Sequence, residues 1–414
     1  MNNNDVRVVI TGLGTINPIG NTVEEFWGNL LKGKNGVRIA QNTDLSDYSV
    51  QIAAEVDIPD VSEYFKSKKM RRRLDRYIVF GHVAGAQAII DSGLDVDKAP
   101  ERYGAIIGTG AGGVNAHVDN ITRVHTTGMS GASPFYIVSA IPNTSTAFLS
   151  QEYNLQAPTF SVNSACATSN HAIFLAWMLI KNGMADAMIA GGAEAALCRP
   201  GVAAFGNIMA LSTRNDSPET ASRPFDKDRD GFVMGEGGGC ICLEELEHAK
   251  RRGAKIYCEI TGFGVSSDAY DLVAPHPEAR GSSRAVKMAL DMAKLNPEDI
   301  DLINCHATST PMGDEMEAKA LKMSFGDYIR ECPAHSTKSM IGHLIAASSS
   351  VEAIASIMAF EKGIIHPTIN QFNQDPKIEL NVIKEPREDK NIKHILSDSF
   401  GFGGHNAVLI MSRF

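Results

Sequence analysis

Short apolar runs of strand length alternate along this chain with longer runs of helical period. The spacing predicts strands at Val6–Ile10, Gly104–Ile107, Ala187–Ala190, Gly239–Leu243, Ile256–Ile260, Asp301–Cys305 and Ala407–Met411. Helices are predicted at Thr22–Leu31, Arg76–Ser92, His171–Asn182, Ser282–Leu295 and His343–Glu361. Gly183 and Gly363 each follow a helical run and suit the left-handed position past a helix end, while Asn296-Pro297 closes another. Such alternation predicts an α/β fold. The hexapeptide Val9-Ile10-Thr11-Gly12-Leu13-Gly14 is echoed by Glu259-Ile260-Thr261-Gly262-Phe263-Gly264. With 414 residues, more than one core usually holds, the echo predicts two duplicated α/β halves, 1–252 and 253–414.

Composition narrows the class. Hydrophobic residues make up 43% and charged residues 21%, as in ordinary globular proteins, and the net charge of −9 argues against nucleic-acid binding. The longest apolar helical run, Ala172–Ile180, falls far short of the ~18 residues that cross a membrane. Met1-Asn2-Asn3-Asn4-Asp5 has neither the basic nor the apolar region of a signal peptide. Seven cysteines occur with no paired CxxC spacing, which predicts a reduced, cytoplasmic protein. Cys240 and Cys242 flank Ile241 in a strand candidate and are expected on opposite faces, unable to share a metal.

Three residues stand out chemically. Cys166, in Ser164-Ala165-Cys166-Ala167-Thr168, lies where a β-rich stretch meets a helical run. A helix N-terminus there would favour thiolate over thiol. His306 follows the strand candidate Asp301–Cys305, and His343 opens the helical run after Lys338-Ser339-Met340-Ile341-Gly342. Taken singly, a cysteine or a histidine is more often a core residue. Together, at element ends, a thiol and two imidazoles point to acyl transfer through a thioester.

At these residues the chain resembles the β-ketoacyl-acyl-carrier-protein synthases of the elongating, type II kind, within the thiolase superfamily. The resemblance runs through Val8–Gly20, Ser164–Thr168, Ala210–Asn215, Arg223–Phe232, His306–Asp314, Lys338–His343 and Phe400-Gly401-Phe402-Gly403-Gly404. It implies a thiolase-like, five-layer αβαβα sandwich working as a homodimer. Cys166 would take an acyl group from acyl carrier protein, with the backbone N–H groups of Cys166 and Phe402 as oxyanion hole. Malonyl-carrier protein would then lose CO₂, and His306 and His343 would stabilise the enolate oxygen as donors. Lys338 would support the site in a network with Glu352, and Phe402 would gate it. No cofactor is required by that chemistry.

The resemblance also implies finer features. Thr308 and Thr310 would bond the phosphopantetheine arm, although hydroxyls at such positions also cap element ends. Ala111 stands where relatives often carry Ile across the acyl channel, so it would open the tunnel, with Phe205 and the partner subunit's Phe135 lining it. Met209 is large enough to refill the space. Lys68, Lys69, Arg71, Arg72 and Arg73, within the basic stretch Lys66–Arg76, and Arg214 would dock the acidic carrier. Asn304, Glu352, Ser397 and Asp398 match a site that binds a monovalent cation, Na⁺ or K⁺, in some relatives. Asp398 replaces the usual Asn there, and His405 a usual Thr; Asp271-Leu272-Val273 and the run Ala346-Ala347-Ser348-Ser349-Ser350 also depart from the family pattern. His82, His117 and His366 show no pairing and read as structural.

The leading expectation is a condensing enzyme of fatty-acid elongation. The same chemistry on a dedicated carrier, in polyketide or special-lipid synthesis, is the alternative. A silent chain-length-factor-type partner is disfavoured by the intact Cys-His-His set, and a degradative thiolase by the second histidine.

Overall fold

The computed structural model describes residues 6–414; Met1–Asp5, on which the signal-peptide reading rests, lie outside the described residues. Eleven strands form one sheet. From edge to edge they run Thr159–Phe160, Tyr103–Gly108, Ala187–Glu194, Gly237–Glu245, Val8–Ile16, Cys258–Ser267, His405–Ser412, His394–Gly401, Leu302–Asn304, Pro333–His335 and Asn381–Val382. Apart from the extra edge strand Asn381–Val382, the order is symmetric about the junction between Val8–Ile16 and Cys258–Ser267, where two residue pairs join the halves. On each side the first two neighbours pair antiparallel and the next two parallel.

The hexapeptide echo has a structural counterpart. Thr11 is the extra residue of a bulge against Gly237–Glu245, and Thr261 is the extra residue of a bulge against His405–Ser412. After each bulge, glycines let an outer helix lie directly on the strand. A Cβ at Gly12 or Gly14 would stand 2.1 Å from the carbonyl oxygens of Ala88 and Ala84, in the helix Arg76–Ser92. One at Gly262 or Gly264 would meet those of Ala289 and Ala285, in the helix Arg280–Ala293, at 2.4 and 1.7 Å.

The helices complete the layers. Arg76–Ser92 covers the outer face of one half and Arg280–Ala293 that of the other. Thr168–Lys181 and Ser348–Lys362 lie between the halves, each touching strands of both and each other. The result is the five-layer αβαβα, thiolase-like arrangement. The side chains of Ser348–Phe360 are all buried, which explains an apolar and small-residue helix with no polar face.

Several expectations shift. The helix expected at His171 starts at Thr168, and the one expected to open at His343 starts at Ser348, so His343 sits in the connection rather than on the helix. Cys240 and Cys242 face the same side, packed in one cluster while Ile241 belongs to another, because strand residues two apart share a face. All seven cysteines are buried and free. His366 is paired after all: it stacks on His335 with ring centroids 3.9 Å apart. Gly183 and Gly363 do take left-handed conformations past their helices. Among the described residues no helix is long and apolar enough to cross a membrane.

The glycine seams give a direct test. Gly264→Ala should lower the denaturant midpoint by the equivalent of about 1–3 kcal/mol, since backbone rather than a movable side chain opposes the new methyl. Gly28→Ala, inside the helix Val23–Leu31 with nothing within 4 Å of the new atom, should raise it by up to about 1 kcal/mol. Equal shifts in the two variants would contradict this packing.

Candidate active site

Cys166 occupies a three-residue 3₁₀ turn, Ala165–Ala167, that leads straight into the helix Thr168–Lys181. Ala165 takes φ 51°, and the turn is held by Thr168, whose hydroxyl donates to the Ala165 carbonyl and accepts from Ser164 N–H. The second central helix begins the same way: Ile345, at φ 47°, opens the turn Ile345–Ala347 ahead of Ser348. His343 lies two residues before that turn. Its backbone is pinned on both sides, with N–H to Val233 and C=O from Gly235 N–H, so the ring is aimed by main chain.

His306 comes from the loop after the strand Leu302–Asn304. That loop contains two residues at positive φ, Ala307 and Ser309. Carboxylates hold it in place: Asp398 accepts from His306 N–H at 2.7 Å, Glu317 from Ala307 N–H at 2.7 Å and Asp314 from Ser309 N–H at 3.0 Å. The segment Arg223–Phe232 braces the same loop, through Arg223 N–H to Ser309 Oγ and Gly231 N–H to the Ser309 carbonyl.

The three side chains converge. His343 Nε2 is 3.0 Å from Cys166 Sγ, the two imidazoles cross at 87° with centroids 5.4 Å apart, and one donor atom of each of the three residues lies within 4.8 Å of the others. All three line a cavity of about 390 Å³, with Phe205, Phe232, Thr308, Thr310, Phe400 and Phe402 around them.

Burial dominates the electrostatics. It pushes the Cys166 thiol up to about 11, against the pull of the nearby Lys338 charge and of the Phe402 and Cys166 backbone N–H groups. The helix-end effect expected to favour thiolate is therefore outweighed, and the resting sulfur is a thiol. Burial, followed by the Lys338 charge, holds both imidazoles well below 6.5, hence neutral and able to donate one N–H each. Lys338 itself is buried, with its ammonium on Glu352 Oε1.

The remaining expected residues fall in different places. Thr308 and Thr310 line the cavity with hydroxyls 3.1 Å apart, and Thr310 also caps the helix Pro311–Phe325. Met209 stands at the mouth, 87% exposed, and leaves the interior free. Ala111 is exposed on the single chain and does not line this cavity; its N–H bonds Glu194. Phe135 also lies outside the cavity, under the Arg73 guanidinium at 4.4 Å. Lys68, Lys69 and Arg72 are exposed on or beside the short helix Lys68–Arg71, Arg71 pairs with Asp60, and Arg76 is committed to buried Glu236. Arg214 is half-buried and donates to the Asp228 carbonyl.

Of the expected cation ligands, Asn304 donates to Ser397 Oγ, Glu352 takes Lys338 and Asp398 takes His306 N–H. Glu352 Oε2 and Asp398 Oδ2 have no hydrogen-bond partner among the described residues. The Glu352 oxygen left free, with an amide and a hydroxyl, is the kind of donor a hard cation takes, whereas the Asp398 carboxyl interacts with that of Glu317.

Sequence reasoning missed Glu317, Glu194 and Ser348. Glu194, entirely buried and pushed up by burial to about 7, gathers the N–H groups of Gly110 and Ala111 and the Thr109 hydroxyl. An acidic residue nearly two turns inside the helix Pro311–Phe325 is the signal the sequence carries for Glu317.

Comparison with known proteins agrees with this geometry. Two family models cover most of the chain: beta-ketoacyl synthase, N-terminal domain, over residues 5–249, and beta-ketoacyl synthase, C-terminal domain, over residues 257–372. The chain belongs to the beta-ketoacyl synthase family. It is 44% identical over 409 residues to the 3-oxoacyl-[acyl-carrier-protein] synthase 2 of Coxiella burnetii, covering 98% of each chain. The synthase 2 of Staphylococcus aureus strain MRSA252 is 41% identical over 411 residues, with 99% of each covered. Among solved structures, a beta-ketoacyl synthase from Burkholderia phymatum superposes with TM-score 0.91 at 34% identity, covering 99% of this chain and 100% of that one. The ishigamide ketosynthase/chain length factor superposes with TM-score 0.92 at 32% identity, with 99% of each covered.

Asp398 is the residue of this beta-ketoacyl synthase site with the clearest pH signature. Burial holds its carboxyl up to about 7, and burial followed by repulsion from Asp398 holds Glu317 well above the carboxylate range. The folded pair keeps protons that the unfolded chain releases above about pH 4. Its stability contribution is thus full below that pH and lost as pH rises through 7. Asp398→Asn keeps the acceptor for His306 N–H and removes the loss. Its melting temperature should exceed wild type by on the order of 2 °C at pH 8 and by less at pH 5. A gap that does not change with pH would contradict the shared-proton pair.

Proposed function

We propose that this protein is a condensing enzyme of fatty-acid elongation, which joins an acyl group and a malonyl-derived unit, both delivered on acyl carrier protein, into 3-oxoacyl-carrier protein. The observation that carries the reading is the 3.0 Å approach of His343 to the Cys166 thiol, with His306 facing both. Cys166 Sγ attacks the acyl carbonyl, the carbon–sulfur bond to the carrier arm breaks, and the thiol proton leaves with the arm's sulfur. The N–H groups of Cys166 and Phe402 receive the oxyanion. In the second step the malonyl carbon–carboxylate bond breaks, CO₂ leaves, and the electron pair forms an enolate whose oxygen accepts from His306 and His343. The enolate carbon then attacks the thioester, and Cys166 is released as thiolate to regain a proton.

The neutral imidazoles support this division of labour, because a neutral ring N–H donates without a counter-charge that would hold CO₂ as carboxylate. Burial, reinforced by the Lys338 charge that Glu352 holds in place, sets that neutrality; Thr308 and Thr310 receive the pantetheine arm, and Phe402 gates the cavity. The enzyme acts in the cytoplasm as a homodimer, with Ala111, Phe205 and the partner subunit's Phe135 shaping the acyl tunnel. No cofactor takes part; Asn304, Glu352, Ser397 and Asp398 hold a monovalent cation that offsets buried negative charge. Relatives named for synthase 2, at 41–44% identity, favour elongation over the polyketide role suggested by the ishigamide neighbour at 32%.

Incubation with acyl-carrier protein should add one acyl mass to the peptide containing Cys166. His306→Ala and His343→Ala should each cut CO₂ release from malonyl-carrier protein by about 10²–10³-fold. Acylation at Cys305 in place of Cys166, or full decarboxylation by both histidine variants, would overturn the assignment.

Lys68, Lys69, Arg71, Arg72, Arg73 and Arg214 form the docking face for the acidic carrier. Reversing Lys69 and Arg72 together should raise KM for carrier-bound substrate with little change in kcat. The effect should fade with salt, as exposed charges are screened over ~10 Å at 0.1 M. A KM unchanged at low salt would reject this face.

A further inference from the structure

We propose that Ser348 is a positioning residue that lets His343 change the ring nitrogen on which it carries its proton, so that one imidazole serves both half-reactions. The inference rests on the two-step reading above and gives His343 a part in the first step as well.

Ser348 Oγ lies 2.9 Å from His343 Nδ1, fully buried, and makes no other hydrogen bond among the described residues. Its counterpart at the other central helix, Thr168, also follows a turn opened by a residue at positive φ, but its hydroxyl is occupied by backbone on both sides. The neighbouring serines are likewise taken. Ser349 accepts from Asn170 N–H, and Ser350 donates to the Ala347 carbonyl. Of the three, Ser348 alone turns toward the site.

The two half-reactions ask opposite things of Nε2. Before acylation the sulfur is a thiol 3.0 Å away. To donate its proton, it needs a lone pair on Nε2, which places the ring proton on Nδ1 and makes Ser348 Oγ the acceptor. During acylation the thiol proton passes to Nε2 and on to the departing arm sulfur, leaving the ring as it began. Once the sulfur is acylated there is no thiol, and the enolate oxygen needs Nε2–H. The ring then takes a proton at Nε2 from water in the cavity and returns its Nδ1 proton to that water when it swings off Ser348, and Ser348 rotates to donate to Nδ1 as the ring swings back. A hydroxyl can accept and donate in turn. A backbone N–H at this place could only donate, and would fix the ring in the second state.

Removing the hydroxyl leaves Nδ1–H buried without an acceptor, which disfavours the tautomer needed for loading. Ser348→Ala should slow single-turnover acylation of Cys166 by about tenfold, roughly 1.4 kcal/mol, while decarboxylation of malonyl-carrier protein stays within about twofold. Ser348→Thr, which keeps the hydroxyl, should restore most of the loading rate. ¹⁵N-histidine NMR provides an independent readout, with the His343 signals identified by their loss in His343→Ala. The ring should be Nδ1-protonated in the free wild type and Nε2-protonated in both acylated wild type and free Ser348→Ala. Equal losses in the two half-reactions, no loss in loading, or one tautomer in all three samples would overturn the role of Ser348. Failure of wild type to load Cys166 at all would instead overturn the two-step reading.

Discussion

The buried ammonium of Lys338 is the charge around which the site is organised. Burial dominates five titratable groups around it, and its charge acts on all five: it adds to burial in keeping His306 and His343 from protonating, and it opposes burial at the Cys166 thiol and the Glu352 and Asp398 carboxyls. Glu352 holds it there, and the pair is almost completely removed from water. An ion pair this deep stabilises the fold weakly, because desolvating both ions offsets most of their attraction. Its value lies in the field it projects. Burial and that cation together keep both imidazoles neutral donors, while the carboxyls behind them retain protons through burial and mutual repulsion, against the pull of the same cation on Asp398.

Much of this was legible in the sequence. The α/β alternation, the positions of most strands and the convergence of Cys166, His306 and His343 followed from apolar period and from residues placed at element ends. The hexapeptide echo proved to mark a bulge and a pair of close-packed glycines at the same place on two strands. The thiolate expectation failed because a helix terminus is visible in sequence and desolvation is not: Cys166 sits beneath Phe402 and Phe205, which arrive from far along the chain. The helix expected to begin at His343 begins five residues later, because the intervening turn has a positive-φ isoleucine that no propensity rule anticipates. Glu317 and Ser348 escaped notice for a related reason. Their partners are a backbone N–H and a ring nitrogen, neither of which leaves a pattern in the sequence.

The serine run that departs from the family pattern also acquires a physical account. Ser349 and Ser169 bond each other and the starts of each other's helices, tying together the two central helices that deliver His343 and Cys166. Hydroxyls are suited to that seam: small enough for close helix approach, yet able to satisfy backbone groups that helix starts leave unpaired.

The glycine seams have a consequence for how such a protein can diversify. Positions 12, 14, 262 and 264 face backbone carbonyls and admit no larger side chain, so the scaffold has almost no freedom to vary there. At the mouth of the cavity the situation is reversed: Met209 and Val273 are 87% and 46% exposed. Substitutions at the mouth are nearly free of structural penalty, whereas those at the seams meet backbone. Substrate range can therefore drift through the rim residues while the layered frame, and the geometry it imposes on the thiol and the two imidazoles, stays unchanged.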